Sequence, residues 1–126
     1  MLHLCEKDCC CRKFARDLYS YAMFLQEGLR VKTVVICQVL RRHKIPYPEY
    51  NDKVVETNIA LKSLVDNSEL PVVFWRQRGL WNSPDPIFRH DGIHLSWDIG
   101  YPKYLRSLRD CIIRACRWFG QHEPAK

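Results

Sequence analysis

Two short apolar runs separated by a helical pattern constrain the fold more than any other feature of this sequence. The runs are KTVVICQVL at 32–40 and PVVFW at 71–75, and both are nearly continuous in apolar residues. Continuous β-branched and aromatic runs are typical of strands covered on both faces, as in a parallel sheet. Parallel neighbours need a long crossover, which is usually a helix. The sequence therefore predicts two parallel strands joined by a helix.

Three segments have the periodicity of amphipathic helices. Apolar residues recur every three or four positions over 13–29, and Asn51 offers an N-cap for a helix over 51–65. The last helix, over 103–119, carries arginines opposite one apolar side. That side consists of Leu105, Leu108, Cys111, Ile112, Ala115, Cys116 and Phe119. The order helix, strand, helix, strand, helix predicts an α/β fold with a parallel sheet between layers of helices.

The chain length of 126 residues predicts a single domain, 1–126, with one core. Two strands are too few for a stable sheet, so we expect this domain to be truncated at its N-terminal side. An incomplete sheet leaves an unpaired edge, which predicts self-association. No segment approaches the roughly 20 apolar residues that a membrane span requires. The first ten residues lack the pattern of a secretory signal, and a cytoplasmic location is favoured.

Charge and cysteine content leave two alternatives to a plain soluble domain. The formal net charge is +6, but the only dense basic run is RRHK at 41–44. Such a short run predicts a solvated loop, and phosphate or nucleic-acid binding is the less favoured interpretation. The seven cysteines include adjacent Cys9, Cys10 and Cys11, which cannot easily pair with one another and favour a reducing compartment. A zinc site with His3 would lack a second half-site, so we expect neither a metal nor a cofactor.

The stretch RHDGIHLS at 89–96 carries the best candidate for chemistry. Asp91 precedes His94 by three residues, and Gly92 permits a tight turn between them. This loop and the loop 41–50 each follow a predicted strand, so both belong at the carboxyl edge of the sheet, where sites of α/β proteins lie. A histidine there can act as a general base and an aspartate can fix its tautomer. A loop histidine with a local hydrogen bond is the alternative.

DGIHLS, followed by G-x-x-K-Y at 100–104 and an amphipathic terminal helix, resembles the last conserved block of the SGNH (GDSL-type) hydrolases. The resemblance implies a flavodoxin-like three-layer α/β/α sandwich and ester hydrolysis. It gives His94 the position of the general base and Asp91 that of its orienting carboxylate. It covers nearly all of this chain, but only about the C-terminal half of the family domain.

Two departures from the family pattern change the expected activity. None of the serines stands in a G-D-S motif, and the oxyanion motif G-x-N-D would align with CEKD at 5–8, where only Asp8 matches. The resemblance therefore implies a domain that keeps the base pair, lacks the nucleophile and is inactive in isolation, with an ester as substrate of the parent family. A noncatalytic binding module, with the basic loop 41–44 on an anionic partner, is the alternative. Trp75, Trp81 and Trp97 flank the site, and we expect them to pack against the core.

Overall fold

The computed structural model describes residues 7–81 and 86–122, which form three long helices and a two-stranded sheet. The helices are α1 (Lys7–Met23), α2 (Tyr50–Asp66) and α3 (Gly100–His122), and the strands are β1 (Val34–Cys37) and β2 (Val72–Trp75). A π-helical turn, Phe24–Gly28, continues α1. In this part of the chain no helix is both long enough and apolar enough to cross a membrane.

The two strands pair in parallel, and α2 is the crossover between them. Val34 lies opposite Val72, and Cys37 lies opposite Trp75. This pairing confirms the predicted mixed α/β class and the parallel direction of the strands. The strand β1 is shorter than its apolar run because the backbone after it forms hydrogen bonds with a side chain of α2 and not with β2. The side chain of Asn58 on α2 accepts a hydrogen bond from the Val39 N–H at 2.8 Å and donates one to its carbonyl at 2.9 Å.

The main core lies between one face of the sheet and the helices α1 and α2. Alternate strand residues point to one face, and those facing the helices pack with small and branched side chains of α1 and α2. The buried cluster consists of Ala15, Ala22, Val34, Ile36, Leu61 and Val72. Burial of a side chain such as that of Leu61 is worth about 1.5–3 kcal/mol. The alanines let α1 approach closely.

The other face of the sheet contacts α3 through a buried polar network. Trp75 Nε1 donates to Ser107 Oγ at 3.0 Å, and Ser107 Oγ donates to Gln77 Oε1 at 2.7 Å. Cys111 lies one helical turn beyond Ser107, where burial and the neighbouring Cys37 raise the pKa of its thiol to about 11. Trp75 therefore packs in the core, as the sequence predicts.

The predicted burial of α3 is only partly correct. Cys111 is buried, whereas Leu105 is 48% exposed, Ile112 is 62% exposed and Cys116 is also exposed. A sheet of two strands is narrow, so it covers a thin stripe of the helix around Ser107 and Cys111. The apolar side that periodicity identifies is wider than the surface available to cover it.

The predicted starts of all three helices are wrong. Helix α1 begins at Lys7 and not at residue 13. The N-cap of α2 is Glu49, without a side-chain cap, whereas Asn51 binds the backbone of Arg42, accepting from its N–H at 3.0 Å and donating to its carbonyl at 2.9 Å. Helix α3 begins at Gly100, three residues earlier than predicted, because Ser96 Oγ accepts the Gly100 N–H at 2.8 Å. Asn51 on α2 thus satisfies the backbone of the preceding loop, and Ser96 satisfies the first N–H group of α3.

Candidate functional site

The loop after β2 folds back on itself and carries RHDGIHLS at its tip. Phe88 and Leu95 form an antiparallel bridge, and the Arg89 N–H donates to the His94 carbonyl at 2.8 Å. The Gly92 N–H donates to the Arg89 carbonyl at 2.9 Å, which closes a tight turn. The tip is therefore an ordered, hydrogen-bonded turn.

Asp91 uses both carboxylate oxygens within this turn. Its Oδ1 accepts the backbone N–H groups of Ile93 at 2.9 Å and of His94 at 3.0 Å, and its Oδ2 lies 2.5 Å from His94 Nδ1. Hydrogen bonds from the His94 side chain and then from the two backbone N–H groups hold the pKa of Asp91 well below its ordinary value. Asp91 is therefore a carboxylate that accepts the proton on Nδ1.

The other ring nitrogen of His94 faces solvent. The His94 side chain is 64% exposed, and within residues 7–81 and 86–122 its Nε2 has no hydrogen-bond partner. When an acceptor holds the proton on Nδ1, the lone pair of a neutral imidazole is on Nε2. The predicted pair is thus in contact, in the orientation that leaves Nε2 available as a base.

The basic segment 41–44 is attached directly to this turn through Gly92. The N–H groups of His43 and Lys44 both donate to the Gly92 carbonyl at 2.9 Å. Gly92 has a φ of +69°, and a Cβ added there would lie 2.7 Å from Lys44 Cβ and 2.8 Å from Lys44 N. Only glycine permits this approach. The expectation that the two loops meet at the carboxyl edge of the sheet is confirmed.

Three arginines of this edge lie over aromatic rings at cation–π distance, an arrangement that the sequence did not predict. The Cζ atoms lie 5.7 Å from the Trp81 ring centroid for Arg41, 4.8 Å from that of Tyr50 for Arg42, and 4.1 Å from that of Trp97 for Arg89. Trp97 is 69% exposed, so it belongs to this surface and not to the core. The sequence signal was limited to the positions of the arginines after the two strands.

No serine in the part of the chain that the structure describes forms a hydrogen bond with the His94 side chain. Ser96 is buried and caps α3, donating also to the Pro86 carbonyl at 3.2 Å, and Ser107 belongs to the network under α3. Ser83 and the residues Cys5 and Glu6 of the aligned oxyanion segment lie outside the described residues. No nucleophile or oxyanion donor is therefore assigned at this edge.

No cluster of three or more histidine, cysteine or carboxylate side chains suited to a metal ion occurs among residues 7–81 and 86–122. The zinc alternative at the N-terminus involves His3 and Cys5, which lie outside the described residues. Comparison of the chain with protein-family models, with curated proteins and with solved structures gave no match.

Proposed function

We propose that this chain is the base-bearing part of an SGNH (GDSL-type) ester hydrolase domain with a flavodoxin-like three-layer α/β/α architecture. The observation that carries the proposal is the contact of His94 Nδ1 with Asp91 Oδ2 at 2.5 Å, with Nε2 facing solvent. The parallel β1-α2-β2 unit, with α1 and α2 on one face and the Trp75 to Ser107 contact with α3 on the other, supports this architecture.

The proposed role of the pair follows from its geometry. His94 Nε2 accepts the proton of a serine hydroxyl as the oxygen attacks the carbonyl carbon of an ester. The Asp91 carboxylate holds the imidazole in the required tautomer and stabilises the imidazolium that forms. His94 then returns the proton to the leaving alcohol. The serine comes from outside this sequence, so the isolated chain has no acyl-enzyme route.

The tautomer of His94 tests the base assignment. In ¹⁵N-resolved NMR spectra at a pH where the ring is neutral, we expect the proton on Nδ1, since Asp91 accepts it. Asp91→Asn should populate the other tautomer, because the amide can present a donor to the ring. The exposed His90 serves as the matched control, because its ring should not respond to this substitution. A proton on Nε2 of His94 in the unsubstituted chain would refute the assignment.

The missing nucleophile is tested separately. A fluorophosphonate probe, which labels activated serines, should leave the purified chain unlabelled, and hydrolysis of p-nitrophenyl acetate should not exceed that by an equal concentration of free imidazole. His94→Ala and the control His43→Ala should then lower the rate by similar small amounts. Labelling of any serine, or a burst of p-nitrophenolate abolished by His94→Ala alone, would show that the chain holds its own nucleophile.

A further inference from the structure

The stacked arginines Arg41, Arg42 and Arg89, here called the arginine edge, hold positive charge without acidic partners. All three are half-buried. In the described ranges none of them forms an ion pair with a carboxylate. Partial burial of a charge is unfavourable unless the charge is compensated. The edge therefore retains unused binding capacity for an anion.

Each guanidinium group of the arginine edge lies over an aromatic ring. A ring that covers one face of a guanidinium leaves the N–H groups in its plane available for hydrogen bonds. Arg89 uses its Nε to donate to the Leu95 carbonyl at 2.9 Å, and its terminal nitrogens are not used in this bond. Such planar forks match the oxygens of phosphate and sulfate groups.

The arginine edge and the His94 turn belong to one surface. The segment carrying Arg41 and Arg42 is hydrogen-bonded through His43 and Lys44 to the carbonyl of Gly92, two residues before His94. Arg89 is the first residue of the same turn. The arginine edge is therefore connected directly, through backbone hydrogen bonds, to the turn that carries His94.

The mixed charge of these segments favours a compact anion over a long polyanion. Glu49 follows the basic segment, and Asp91 and Asp98 accompany Arg89. A nucleic acid is bound by a continuous basic surface that follows its phosphates. The three carboxylates interrupt any such surface here. The exposed Trp97 ring beside Arg89 adds a surface for an apolar or aromatic group.

We propose that the arginine edge binds the phosphate or sulfate group of a small ligand, so that the ester handled beside His94 belongs to a class bearing such a group. The reaction rests on the proposed function, whereas binding of the anion does not.

Titration of the full chain with phenyl phosphate and with inorganic phosphate, at constant ionic strength set by sodium chloride, tests the site. Amide shifts of His43, Gly92 and His94 in NMR spectra should saturate with both probes. Phenyl phosphate should bind several-fold more tightly, since its ring can contact Trp97. Equal shifts in sodium chloride alone would overturn the proposal.

Variants that each remove one arginine charge test whether binding depends on the arginine edge in particular. Arg42→Gln and Arg89→Gln should each weaken phenyl phosphate binding about tenfold, as expected for loss of a hydrogen bond to a charged group. Arg42→Lys should recover part of the affinity, because it restores charge without the planar fork. The exposed Arg114 on α3 provides the control, and Arg114→Gln should change affinity less than twofold. Equal weakening by all three glutamine variants would overturn the proposal.

A single-stranded DNA of 20 nucleotides provides the competing outcome. Binding of this DNA far more tightly than phenyl phosphate, with loss in Arg42→Gln, would replace the small-ligand proposal with a nucleic-acid site. Failure of the two proposals is separable. No phosphate binding with the proton of His94 on Nδ1 would refute only the anion site. Phosphate binding with the proton on Nε2 would refute only the catalytic base.

Discussion

Substitution of Gly92 by alanine is expected to separate the basic segment from the His94 turn. Gly92 has a φ of +69°, and a Cβ there would lie 2.7 Å from Lys44 Cβ and 2.8 Å from Lys44 N. The second contact is with backbone, which cannot rotate away as a side chain can. The segment must therefore move, and the hydrogen bonds from His43 and Lys44 to the Gly92 carbonyl are lost or weakened.

The expected destabilisation has two parts. A non-glycine residue in the left-handed region costs about 1–2 kcal/mol. Each lost backbone hydrogen bond costs about 0.5–1.5 kcal/mol net, so two bonds bring the total for Gly92→Ala to about 2–5 kcal/mol. For a domain of this size, 1 kcal/mol corresponds to roughly 4 °C in Tm. A fall of roughly 8–20 °C is therefore expected.

Gly79→Ala is the matched control. Gly79 has a φ of +79°, but a Cβ there would meet only the Lys103 Nζ at 3.9 Å. Gly79→Ala should therefore lower the free energy of unfolding only by the cost of a left-handed alanine, about 1–2 kcal/mol. Urea unfolding followed by circular dichroism gives both free energies, and the NMR shifts of His43 and Lys44 report the separation of the loops. An equal loss in both variants, with unchanged shifts, would refute the close approach as the source of the cost.

Three further predictions concern other contacts. Asn58→Ala should lower the free energy of unfolding by about 2–3 kcal/mol, because it removes both hydrogen bonds that the buried Asn58 side chain makes with the Val39 backbone. Asn51 is less buried, so Asn51→Ala should cost less, and urea titration measures both free energies. Folding lowers the pKa of Asp91, so its stabilising contribution is complete above about pH 4 and disappears as the pH falls through the lowered value. In Asp91→Asn, the free energy of unfolding should therefore fall less steeply with decreasing pH. A steeper fall would contradict this. Iodoacetamide at pH 8 should alkylate Cys111 at least about 100-fold more slowly than the exposed Cys116, because burial raises the pKa of Cys111 to about 11 and limits access. Mass spectrometry of digested peptides gives both rates.

Local pattern was sufficient for the types of the elements and the direction of the strands. The apolar runs contain both strands, and α2 is the crossover that parallel strands need. The end of β1 was not predictable, because the Asn58 side chain on α2 forms hydrogen bonds with the backbone of Val39, 19 residues earlier in the chain. No local propensity encodes a hydrogen bond of that range.

The Asp91 and His94 contact was predictable because it is local: His94 is the third residue after Asp91, and Gly92 between them permits the turn. The stacking of Arg42 on Tyr50 and of Arg89 on Trp97 was not, because side-chain pairing depends on how each loop is held. Asn51 holds the Arg42 backbone, while hydrogen bonds across the loop hold Arg89.

The sequence by itself determined which segments are helices and strands, the parallel pairing, and a histidine turn at the carboxyl edge of the sheet. These depend on residue spacing and on local backbone preferences. Only the tertiary structure decided how much of α3 is covered, that Ser96 serves as a cap, and that Arg41, Arg42 and Arg89 lie over aromatic rings. Those features depend on contacts between distant segments, whose geometry is set by packing and by the need to satisfy buried backbone groups.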